Sequence, residues 1–314
     1  ACLVGSEMCI RDSAYGYSKS TYISLKDSSV VTTGNNSAGT AVSARAMMKV
    51  ENSTVSTTGD SSPAIMIADG GGILIADGGS FTTSGAMSQG IYSKGDVTVT
   101  NASVNALNAK AAVLKGNNTI TLSGTTLEGK ETADTIPYNI VLFSDEKDIG
   151  TMGTQHFDVR GGSLISHKGG MFYVTATHGK ISLNGTAITM DDPAANLITV
   201  AGNDGANGWG TPGRNGGHVE LVADNQILTG NISVDSISNI NMTLKNNSTF
   251  NGMISIVPNA EGGEKYKTNA DVFIAAGSTW NLTGNSTLTS LYNLGTINYN
   301  GYTITLADGT VMKA

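Results

Sequence analysis

Four histidines, an adjacent pair of aspartates and two tryptophans are the residues of this chain whose chemistry could serve a site. A serine-protease mechanism needs a nucleophile in a glycine-rich turn together with His and Asp partners. His156, His167, His178 and His218 supply imidazoles, yet neither Gly-Asp-Ser-Gly nor Gly-x-Ser-x-Gly occurs. They read as surface turn residues. His156, His167 and His178 lie eleven residues apart, an interval that does not match the repeat described below. They are therefore not expected to line one column, and no zinc site is assigned. Glycoside hydrolysis needs two carboxylates flanking the scissile bond. Asp191-Asp192 offers such a pair, but alternation sends neighbouring side chains of a strand to opposite faces, and Pro193 turns the chain there. A solvated turn is the expectation. Asp69 and Asp77 flank three glycines without meeting the nonapeptide calcium pattern. No catalytic, cofactor or metal residue is assigned.

Trp209 stands in a glycine-rich run, Gly202 to Gly217, with no apolar neighbour beyond Ala206. Two readings stay open: the run folds back and buries the indole, or it exposes the indole as a recognition anchor. Trp209, with Asn207 and Arg214 of the same run, forms the candidate recognition loop. Trp280 occupies the repeat position of Val30, Val55, Phe81 and Phe250, which predicts core packing.

The elements that must position these residues follow from composition. Only 14% of the 314 residues are charged, against about 25% in ordinary soluble chains. Glycine contributes 40 residues, Thr 37, Ser 31 and Asn 28. That supply favours turns and strands and excludes long helices. General disorder is excluded too, because 39% hydrophobic content with a net charge of −7 can bury a core. No apolar stretch is long enough for a membrane-spanning helix. A pI near 5.0 with scattered charge gives a nucleic-acid partner no electrostatic footing.

Internal repetition decides the architecture. An apolar strand end, a polar turn and a second apolar strand recur at Leu25–Val30, Val50–Val55, Ile75–Phe81, Val99–Val104 and Leu122–Leu127. The strand ends fall at 25, 50, 75, 99 and 122. Further copies lie at Val159–Leu164, Leu183–Ile188, Leu244–Phe250 and Ile274–Trp280. Each repeat holds a third apolar strand, expected at Ala64–Ala68, Gly90–Lys94, Ala111–Lys115, Asn139–Ser144, Met171–Ala176 and Leu197–Ala201. Three strands and three turns per coil predict an all-β, right-handed parallel β-helix of about 24 residues per coil, strands stacking on their equivalents at about 4.8 Å. One domain is expected over 14–314, with insertions near 131–150, 202–217 and 261–269. Asp, Asn or Gly at the turns would accept the left-handed backbone that such corners need.

Residues 1–13 lack this texture and carry both cysteines, Cys2 and Cys9. The segment resembles the in-frame translation of sequencing-adapter DNA and is set aside as non-native; a disulfide stapling the amino end is the other reading.

Residues 221–254 (LVADNQILTGNISVDSISNINMTLKNNSTFNGMI) and 271–299 (DVFIAAGSTWNLTGNSTLTSLYNLGTINY) resemble pertactin-like passenger domains of bacterial autotransporters. The LTGNI, LKNNSTFNG and WNLTGNSTLTSL elements carry the likeness, close over 219–306 and looser over 20–220. The resemblance implies type V secretion, with 219–314 as the coils next to an outer-membrane β-barrel of the same protein that this sequence does not contain. The frame is expected to continue at both ends. It also implies a cell-surface location and a non-catalytic role in adhesion or self-association. The expected partners are a host surface protein or glycan, or the same protein on another cell. The rival reading is a secreted carbohydrate-active β-helix enzyme or a phage tail-spike rod on the same fold. A carboxylate cluster on one strand face would favour the enzyme.

Overall fold

The computed structural model describes residues 13–132, 134–145 and 153–313. Cys2, Cys9 and the rest of segment 1–12, as well as 146–150 of the first expected insertion, lie outside the described residues. Those described form strands and turns without a helix, and the strands pair in parallel except for one antiparallel pair near residue 305. The chain divides into two compact units. Of the described residues, the first holds those of 13–141, 160–169 and 189–192; the second holds those of 142–159, 170–188 and 193–313.

In the first unit three parallel faces are built coil upon coil. The first face stacks Thr40–Ser43, Ile65–Ile67, Ile91–Ser93 and Ala112–Lys115. The second stacks Tyr22–Lys26, Met47–Glu51, Ile73–Asp77, Asp96–Thr100 and Thr119–Ser123. The third stacks Ser29–Thr32, Thr54–Thr57, Ser80–Thr83, Ser103–Ala106, Thr126–Gly129 and Ser163–Ser166. Period-two alternation sends every second side chain inward. Val30, Val55, Phe81, Val104, Leu127 and Leu164 therefore form one buried column. β-Branched residues suit such a pleated, half-buried surface.

One register expectation is corrected. The inward column of the second face runs Leu25, Val50, Ala76, Val99, Leu122. Ile75 pairs with Lys49 and points outward. Alternation is strict, so a one-residue slip would turn Leu74 out and Ile73 in; pairing keeps Leu74 buried and accepts a small Ala76 inside.

The corner between the second and third faces has a left-handed residue in every coil: Asp27 (φ 47°), Asn52 (47°), Gly78 (69°), Asn101 (51°) and Gly124 (58°). Asn and Asp tolerate this conformation, and Gly adopts it without a Cβ penalty. At the next corner Thr32, Thr57 and Thr83 each donate a hydroxyl to the carbonyl five residues on, of Ser37, Ser62 and Ser88. Backbone packs on backbone there: a Cβ on Gly85 would lie 1.9 Å from the Gly59 oxygen. Just beyond, Lys110 is buried between Glu131 (3.2 Å) and Asp134 (3.0 Å) and also donates to the Ile136 carbonyl. The pairing ties the start of the first insertion to the coil.

The second unit repeats the scheme: its strands Thr177–Asn184, Gly217–Asp224 and Asn239–Lys245 are longer than the second-face strands of the first unit, and Ala270–Ile274 follows them. A four-stranded face stacks Ile227–Thr229, Thr249–Gly252, Thr279–Leu282 and Thr296–Asn298. Trp280 lies inside it, fully buried beside Phe250, and donates its indole N–H to the Gly252 carbonyl at 2.9 Å. Core packing is its role. Outside the same strands Asn298 donates to Asn281, and Asn281 to Asn251, each at 2.7 Å.

Candidate functional site

Two of the expected insertions lie in the second unit and meet there. One, 202–216, leaves the strand Ile198–Val200 and returns into Gly217–Asp224. The other, 258–269, leaves Ile254–Val257 and returns into Ala270–Ile274. Asp235, at the end of Ile232–Asp235, is buried and holds both. Its carboxylate accepts the Gly202 amide at 2.8 Å, the Asn259 side-chain amide and the Ile237 amide. A buried carboxylate is tolerated when hydrogen bonds replace its lost hydration. Gly263 packs against Gly213 so closely that an added Cβ would lie 2.0 Å from the Gly213 oxygen. Asn269 reaches back to the Ser238 carbonyl at 2.7 Å.

Within the first loop, Trp209 stacks on Phe143 with ring centroids 4.4 Å apart and planes at 29°. Its carbonyl accepts from the side chains of Asn203 and Asn215, both at 2.9 Å. Asn203 is held in turn by Thr175 at 2.8 Å. The run thus folds back onto the coil, yet the indole is only half-buried. Asn207 and Arg214 of the same loop are exposed.

Beside the lobe, His178 and His218 pair across neighbouring strands and stack their rings at 4.8 Å. Tyr266, carried by the second loop, places its ring 4.8 Å from that of His218, tilted by 58°, and its amide donates to the Ser236 carbonyl at 2.7 Å. Burial lowers the pKa of His218; the hydrogen bond it donates from Nδ1 to the Asn239 side-chain oxygen and the charge of Asp235 oppose this, while His178 adds to it. Coil counting misses this pair, because the 202–216 insertion stretches their spacing well beyond one repeat.

The remaining candidates lie elsewhere. His156 is half-buried on Thr154–Arg160. In the first unit His167 bonds Asp191 through Nδ1 at 2.7 Å and Glu128 through Nε2. Asp191 lies in a bend, as the turn reading expects. The Asp191 bond first, and the Glu128 bond second, raise the His167 pKa. Asp69 is engaged by Lys94 at 2.6 Å, which lowers its pKa. Among the described residues no three His, Cys, Asp or Glu side chains converge as metal ligands. No family model, curated protein or solved structure matches the chain.

Proposed function

We propose that this chain is the non-catalytic passenger of a bacterial autotransporter, exposed at the cell surface and acting in adhesion or self-association. The observation that carries the reading is the convergence of loops 202–216 and 258–269, pinned by Asp235 on a scaffold of stacked coils. Rigid coils that hold irregular loops are the arrangement in which loops take up recognition. The outward Asn and Thr of the strands Thr249–Gly252, Thr279–Leu282 and Thr296–Asn298 supply a polar surface suited to life in water. Its own outer-membrane β-barrel is the partner in export. Beads coated with the chain are expected to bind host cells or to clump. Exchanging 203–214 for a short Gly-Ser turn should abolish this while the β-sheet circular dichroism persists. Unchanged binding by the exchanged variant would sink the reading.

One observation favours the rival, a carbohydrate-active enzyme: Glu128, His167 and Asp191 cluster at one edge of the third face. Both imidazole nitrogens are engaged by carboxylates, which leaves neither free to move a substrate proton. Release of reducing ends from polysaccharide, lost in Glu128→Gln, would restore that reading.

A further inference from the structure

We infer that Trp209 is a stacking platform for a pyranose ring, so that the partner recognised by this lobe is a glycan chain rather than a protein surface. The inference rests on the adhesion reading and narrows its ligand. An indole that binds a sugar must offer one open ring face and be fixed in advance, because ordering a loop at the moment of binding costs affinity. Trp209 meets both conditions. Phe143 backs the ring at 4.4 Å, while Asn203 and Asn215 clamp its carbonyl. The clamp is itself tied down, by Thr175 and by the bond from Asn215 to the Asn203 carbonyl at 2.9 Å. The side chain stays half-exposed, and a Cβ added at Gly208 would meet nothing within 4 Å, so the chain is open beside the indole.

The surroundings separate glycan from protein. Protein interfaces cluster several apolar anchors in a desolvated centre. Loop 202–216 has no apolar side chain besides Trp209 except Ala206 and Pro212. What it does have is hydrogen-bonding capacity. Asn207 and Arg214 are exposed, and neither side chain bonds to another described residue. A sugar needs one flat apolar contact for its C–H face and planar amide or guanidinium groups for its hydroxyls and any carboxylate. The loop provides that combination.

The two tryptophans make the test selective. Trp280 is sealed in the core, so a ligand-induced change in tryptophan emission reports Trp209. The full chain is titrated with dextran, chitin oligosaccharides, hyaluronan fragments and polygalacturonate. At least one polymer should give a saturable shift in emission. Trp209→Phe, which keeps a ring on Phe143, should retain binding followed by calorimetry, whereas Trp209→Ala weakens it about tenfold or more. Arg214→Gln should weaken the two acidic polymers selectively. Flat titrations with all four polymers overturn the inference, as does binding that Trp209→Ala leaves intact. Adhesion of coated beads to cells whose surface glycans have been oxidised by periodate separates the two failures. Adhesion that persists there overturns the glycan while leaving the adhesion reading standing; beads that never adhere count against adhesion itself.

Discussion

His167 and His218 answer to acid in opposite senses, and both answers follow from their neighbours. His167 is gripped by Asp191 and Glu128, and its folded-state pKa is raised. The stabilisation is full below the unfolded value of about 6.5 and is lost as pH rises through the raised folded value. The urea midpoint of His167→Gln should therefore trail the parent at pH 5.5 and meet it at pH 8.5. The side chain is about a third exposed, so screening holds the difference to under about 1 kcal/mol. An equal gap at both pH values would contradict the linkage. His218 is desolvated, its pKa is lowered, and the folded state wants it neutral. Its contribution is present above the unfolded pKa and is lost as pH falls through that value toward the folded one. The groups around it are His178, Asn239, Tyr266 and Asp235, with the Lys180–Glu220 ion pair two residues further along the same strands. Two protonated imidazoles at 4.8 Å would repel. Amide exchange in 258–269 should accelerate between pH 7 and 5, after correction for intrinsic rates. It should stay flat in His218→Phe.

Strands and corners carry most of what could be foreseen. Inward columns and left-handed corners are local demands, repeated coil after coil, so residue type alone reveals them. Asn101, at φ 51°, is a direct probe of the corner. Asn101→Gly should be nearly neutral, while Asn101→Val should lose about 1–2 kcal/mol by forcing a β-branched residue into the left-handed region. Thermal melts that rank Val level with Gly would contradict the account. The third-strand expectations coincide with observed strands, from Ile65–Ile67 to Ile198–Val200, because these short apolar runs recur in phase with the other two strands of each coil and are too short for helices. Ile75 shows the limit. Ile73, Leu74, Ile75 and Ala76 are all apolar, so hydropathy does not mark which parity faces inward, and only pairing with Met48 and Val50 decides. Trp209 shows a second limit. Nothing adjacent in sequence names Phe143 as its platform.

In the molecule as a whole, each coil is stabilised chiefly by its neighbours, so folding can nucleate at one place and propagate by stacking. If the carboxy-terminal coils nucleate, deleting 221–312 should slow refolding far more than deleting an equal length from the amino-terminal side. Equal rates in a stopped-flow comparison would refute that order.

The sequence by itself determined the all-β coil, its period near 24 residues, the corner residues and the buried Trp280. These depend on alternation and backbone preference, which act over a few residues and recur. Tertiary structure alone decided that 202–216 and 258–269 share the Asp235 anchor, that His178 stacks on His218 with Tyr266 beside it, and that Glu128, His167 and Asp191 meet. Each of those contacts joins residues about one coil or more apart, and for His178–His218 and Glu128–His167 an insertion also breaks the phase between them. Coil-to-coil register is a property of backbone pairing in space, and no side chain announces in sequence which residue will lie above it.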